Sequence, residues 1–126
     1  MLPDTAFLVY YTKSTELIKA FWDSLKVEAN QYTDDKVVVV MGNIEIHYIL
    51  DTTEPFEEYL FATMPTNRGQ GIIHYFSVND IEKFRTAVEK LKPAQLTEIK
   101  NNHWDAKEFL FSDPDGYLFA VYEMVF

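Results

Sequence analysis

One order of secondary-structure signals occurs twice along the chain, and that repeat limits the fold more than any other feature. Residues 5–12, AFLVYYTK, are β-branched and aromatic with no Gly or Pro, as a strand requires. Ser14 is placed to cap a helix, with Glu16 in a first turn where a carboxylate suits the helix dipole. Leu17, Ile18, Phe21, Trp22 and Leu25 recur at helical spacing, while Lys19, Asp23 and Ser24 fall on the other side. From Val27 the pattern turns to strand. Asp34-Asp35 marks a turn before Lys36–Met41, and Gly42-Asn43 signals a hairpin into Ile44–Leu50. The order is strand, helix, three strands.

Residues 51–70 form a polar connection in which Glu54, Glu57 and Glu58 are expected to be a solvated loop. The order then returns. Gly71–Val78 is a strand, and Asn79 is the expected helix cap, with Glu82 at capping-box distance. Ile81, Phe84, Val88 and Leu91 make one apolar stripe; Lys90 and Lys92 suit the C-terminus and Pro93 stops the helix. Gln95–Lys100 and Lys107–Asp113 follow as strands, Asp113-Pro114-Asp115-Gly116 as a tight turn, and Tyr117–Glu123 as the final strand. The period is about 65 residues. The expectation is one α+β domain over 1–126, with βαβββ modules at 1–50 and 71–126 joined by 51–70. One helix covers only one face of each four-stranded sheet and leaves the other to a partner sheet or a ligand. A ferredoxin-like repeat has fewer strands, and the extra hairpin in each half decides against it.

Composition excludes several classes. Hydrophobic residues make up 48% of 126 residues and aromatics 16%, too many for a disordered chain. There is no cysteine, so neither disulfides nor a thiolate zinc site can form. A formal charge of −9 repels nucleic acid and anionic membranes and attracts cations, although acidity also serves solubility. No apolar run is long enough for a membrane span, and Met1-Leu2-Pro3-Asp4 lacks the charged and apolar regions of a secretory signal. A cytoplasmic location is expected.

The residues themselves carry a resemblance. Ala20-Phe21-Trp22 in the first helix and Phe109-Leu110-Phe111-Ser112-Asp113-Pro114-Asp115-Gly116 near the end resemble the vicinal-oxygen-chelate superfamily. Within it, residues 96–123 are similar to the bleomycin-resistance proteins: a Trp (Trp104), a basic-Glu-Phe strand (Lys107-Glu108-Phe109), an Asp-Pro-x-Gly turn, and a last strand ending in Glu123. The resemblance implies a curved sheet of two βαβββ modules with an open cleft. That superfamily hosts lyases, isomerases, dioxygenases, thiol transferases and pure binders.

Its enzymes hold a divalent metal with His, Glu or Gln at inward positions on four strands. Carried over, those positions fall on Phe7, Glu45, Ile73 and Ala120, with His74 one residue off and facing the other way. One carboxylate in four positions makes a poor metal site, so neither metal nor other cofactor is expected. Bleomycin-resistance proteins share that loss. They resemble the enzymes in fold but act as metal-free dimers that trap a large cationic, planar-ringed antibiotic between subunits.

What the resemblance implies here is a homodimer that sequesters a small cationic aromatic molecule, without covalent chemistry, nucleic acid or membrane. Its aromatic walls correspond to Tyr32, Tyr75 and Trp104, with Asp34, Asp35 and Glu45 as local countercharge. Alternation with Ile73 and Ser77 puts Tyr75 on the face away from the helix. Trp104 is equally a loop aromatic packed on the sheet edge. Glu45 and His47 share one strand face, opposite Ile44, Ile46 and Tyr48, as a polar lining or an acid–base pair. His74 is expected in the core and His103 in solvent. The alternative function is a metal-dependent glyoxalase- or dioxygenase-like enzyme using Glu45 and His47. The segment Met1 to Asp4 is short, so little exchange of it within the dimer is expected.

Overall fold

The structure, a computed structural model, describes residues 5–52 and 71–125. It contains two compact units, Met1–Arg68 and Gly69–Phe126. The expectations for Met1 to Asp4 and for Glu54, Glu57 and Glu58 lie outside the described residues.

In the first unit, β1 (Phe7–Thr12) leads to α1 (Thr15–Ser24) and then to β2 (Ala29–Thr33), β3 (Lys36–Met41) and β4 (Ile44–Leu50). The sheet order is β1-β4-β3-β2, with β1 parallel to β4 and the other pairs antiparallel. In the second unit, β5 (Ile73–Ser77), α2 (Ile81–Lys90), β6 (Lys100–Asn101), β7 (Ala106–Ser112) and β8 (Leu118–Met124) repeat the plan as β5-β8-β7-β6, again with the first and last strands parallel. The expected α+β class and the duplicated βαβββ order are both present.

Period-two alternation decides what each sheet gives its helix. In the first unit Tyr10, Thr12, Val37, Val39, Ile46 and Tyr48 are buried on one face, together with Ile18, Phe21 and Trp22 of α1. Thr15 ties the helix start to the β2–β3 turn by donating to the Asp34 carbonyl at 2.9 Å. The second unit is built on rings. Phe111 stacks on Phe119 at 5.6 Å, and Phe76 meets Phe84 of α2 edge-on at 5.6 Å, over buried Ile81 and Val88. Rings of this size supply most of the apolar area that a small core can bury.

The helix ends show the repeat at atomic scale. The Ser14 side chain caps α1 by accepting from Leu17 N, and Asp80 caps α2 by accepting from Lys83 N. Both helices stop on a lysine in the left-handed region, Lys26 at φ 58° and Lys92 at φ 51°. The tight turn before β8 closes through Gly116 N to Asp113 O, with Gly116 at φ 93°, a conformation that glycine alone adopts freely. Buried Asp113 holds this turn, its Oδ1 accepting from Asp115 N and Tyr117 N at 2.9 Å each.

Three expectations need correction. The cap of α2 is Asp80, not Asn79, because the helix begins one residue later and Glu123 of β8 accepts from Ile81 N at 2.9 Å. This carboxylate from another strand replaces the capping box. Leu17 is 61% exposed, since the buried stripe of α1 runs through Thr15, Ile18, Phe21 and Trp22 and leaves it outside. Residues Gln95–Lys100 are not one strand. Only the Leu96–Phe111 bridge and β6 pair regularly, because side chains take part of the ladder: Thr97 Oγ1 accepts from Leu110 N and Ser112 Oγ from Gln95 N. No described helix is long and apolar enough to cross a membrane.

Candidate functional site

On the second sheet the face away from α2 carries the main concentration of chemistry. Tyr75 of β5 lies across from Ala120, and the same alternation brings Tyr122 of β8 opposite Ser77 and Glu108. Trp104 arrives from the turn between β6 and β7. Its ring centroid is 5.0 Å from that of Tyr122 and 6.3 Å from that of Tyr75, while Tyr75 and Tyr122 are 6.3 Å apart. Interplanar angles of 52–70° make the three rings walls instead of a stack. Tyr75 remains 51% exposed and Trp104 37%, so both rings keep solvent-facing surface.

A polar network holds this arrangement. Asn102 Oδ1 accepts from the backbone N–H of both Trp104 and Ala106, fixing a turn in which Asp105 sits at φ 62°. The Asn102 amide donates to Glu108 Oε1 at 2.6 Å, and the Tyr75 hydroxyl points to Glu108 Oε2 at 3.4 Å. Loss of water around the phenol, then the Glu108 charge and hydrogen bond, raise the Tyr75 pKa, so this hydroxyl stays a donor. Trp104, Asn102, Glu108 and Tyr75 form one connected unit.

In the first unit, the face away from α1 carries the Glu45–His47 pair. His47 Nε2 is 3.0 Å from Glu45 Oε1, and Phe7 stacks on the imidazole at 4.0 Å with planes 12° apart. The His is 9% exposed, between Val9 and Val38 in register, while Glu45 is exposed. Buried His47 Nδ1 has no partner among the described residues. Tyr32 lies at the bulge in β2, 66% exposed, with Lys36 Nζ 5.9 Å from its ring centroid. The chain's own cation therefore already occupies that ring.

Tyr75 and Trp104 are thus brought together in the second unit, and Glu45 and His47 in the first. Tyr122 and Glu108 were missed by the sequence reading. The alternation that assigned Tyr75 also assigns Tyr122, two residues beyond Ala120, whereas Glu108 stood inside a motif read only for resemblance. His74 faces α2, half-buried beside Phe119 at 5.5 Å, and burial lowers its pKa against a backbone hydrogen bond to Leu118.

The four metal-ligand positions do not make a donor set. Phe7 and Glu45 are direct neighbours, whereas Ile73 pairs with Leu118, and Ala120 with Tyr75. Glu45 is the lone ligand type among the four. No three His, Asp or Glu side chains converge among the described residues. A divalent ion does not fit these side chains.

No family model matches the chain, and no curated protein matches it. Solved structures do. A hypothetical protein from S. aureus superposes with a TM-score of 0.77 at 18% identity, over 97% of this chain and 94% of that one. A bleomycin-binding protein complexed with bleomycin gives 0.66 at 12% identity over 98% and 100%. A glyoxalase family protein from Bacillus anthracis gives 0.70 at 16% over 99% and 98%. The chain shares its fold with these bleomycin-binding and glyoxalase-family structures. At such identities the fold is what is shared, and one fold hosts many activities. Within this fold, the ring cluster of β5, β8 and the β6–β7 turn is the feature most suited to a ligand.

Proposed function

We propose that the protein is a homodimeric, cytoplasmic binder that captures a small cationic aromatic molecule without covalent chemistry. The carrying observation is the cluster of Tyr75, Trp104 and Tyr122 around Glu108 on the face of the second sheet that its helix leaves uncovered. Such rings stack on flat heterocycles and attract cations, and a net charge of −9 steers them in. A neighbour in the fold is a bleomycin-binding protein complexed with bleomycin. In this reading Tyr32, Glu45 and His47 of the first unit are further ligand-contacting residues, with Tyr32 exchanging Lys36 for the ligand.

Calorimetric titration of metal-analysed protein with bleomycin, metal-free and copper-loaded, at low and high salt, tests this. The expected result is one ligand per subunit with affinity reduced by salt. No binding in either form sinks the antibiotic reading. The Glu45–His47 contact favours a second reading, an enzyme that moves protons. The metal-dependent version is the weaker one, because Phe7, Ile73 and Ala120 offer no donor. A stoichiometric divalent metal in purified protein, retained on dialysis, reverses that ranking.

A further inference from the structure

We infer that the carboxylate of Glu108, framed by Tyr75, Trp104 and Tyr122, is a seat for an alkylated ammonium group, and that charge is recognised here independently of any flat ring. The inference deepens the capture reading and rests on its site.

Three features carry it. Trp104 meets Tyr122 edge-on at 5.0 Å and Tyr75 is tilted against both at 6.3 Å, so the exposed ring surface offers no pair of parallel walls for a flat heterocycle but can still attract a cationic nitrogen. Glu108 is held at both oxygens, by Asn102 and by Tyr75, so its charge is fixed beside the rings without the entropy cost of a free side chain. Two donors leave the carboxylate further acceptor sites. Lys100 is directly across from Glu108 in register, yet makes no ion pair with it among the described residues. The acid is thus not paired with the lysine across from it. The Tyr75 hydroxyl, kept protonated, adds no competing negative charge.

The test uses choline and its neutral isostere, in which carbon replaces the ammonium nitrogen. Trp104 fluorescence reports binding; Trp22 is fully buried and serves as the silent background. Choline is expected to bind saturably and about tenfold more tightly than the isostere, as a desolvated cation–π contact allows. Glu108→Gln keeps the hydrogen-bonding shape and should erase that preference, whereas Lys100→Met should increase it. Equal binding of the two probes, no binding of either, or a preference that survives Glu108→Gln overturns the seat. The same variants titrated with bleomycin separate the two proposals. If bleomycin binds wild type and Glu108→Gln alike, capture stands and the seat falls. If choline binds through Glu108 while bleomycin does not bind, the seat stands and antibiotic capture falls.

Discussion

The two units share a strand order, a parallel first-to-last pairing and even the left-handed lysine after each helix, yet they use the uncovered sheet face in opposite ways. The first unit buries one imidazole there, His47 beneath Phe7, with the exposed carboxylate of Glu45 beside it. The second opens three rings and ties an acid among them. Backbone topology therefore leaves the face's chemistry undetermined. Side chains at every second position decide it, and a few substitutions separate a face bearing a His–Glu pair from one bearing a ring cluster.

The largest expected effect compares the two cores. Trp22→Ala and Phe119→Ala should each cost about 3–5 kcal/mol in urea unfolding, since both side chains are fully buried. If either costs below about 1 kcal/mol, the corresponding helix face is not the packed core described. Next comes the comparison of the uncovered faces. Trp104→Ala should weaken ligand binding by about 1–3 kcal/mol with little loss of stability. Phe7→Ala, which uncovers His47, should leave choline binding unchanged; an equal loss in both variants erases the contrast between the units.

Caps give a smaller, symmetric effect. Ser14→Ala and Asp80→Ala should each lower stability by about 1 kcal/mol, and Asn79→Ala by much less, which settles the corrected helix start. The smallest effect is a pH slope. Burial lowers the His74 pKa in the folded chain, so the unfolded chain takes up its proton first as pH falls. Stability is therefore full above the ordinary histidine value of 6.5 and is lost below it, towards the depressed folded value. Unfolding midpoints between neutral and mildly acidic pH should fall less steeply in His74→Gln than in wild type.

Much of this was legible beforehand because alternation and turn chemistry are local. Glu45 and His47 against Ile46 and Tyr48, or Tyr75 against Phe76, need only a period of two. Gly42-Asn43 and the Asp113–Gly116 turn need only their own residues. What escaped depends on distant partners. Asp80 caps α2 in company with Glu123, far along the chain, and no nearby pattern announces it. Residues 95–99 have strand composition, but Thr97 and Ser112 divert the ladder through their hydroxyls. Glu108 matters because Asn102 and Tyr75 converge on it from two other segments.

The parallel pairing within each unit has a consequence for how the chain is made. In both sheets the last strand synthesised is an interior one: β4 lies between β1 and β3, and β8 between β5 and β7. Until Leu118–Met124 leaves the ribosome, β5 and β7 have no common neighbour, and Phe76, Phe109 and Phe111 lack the strand that completes their packing. The unit cannot settle progressively from its N-terminal side. It must hold its rings out of aggregates until one late strand slides in and joins everything at once.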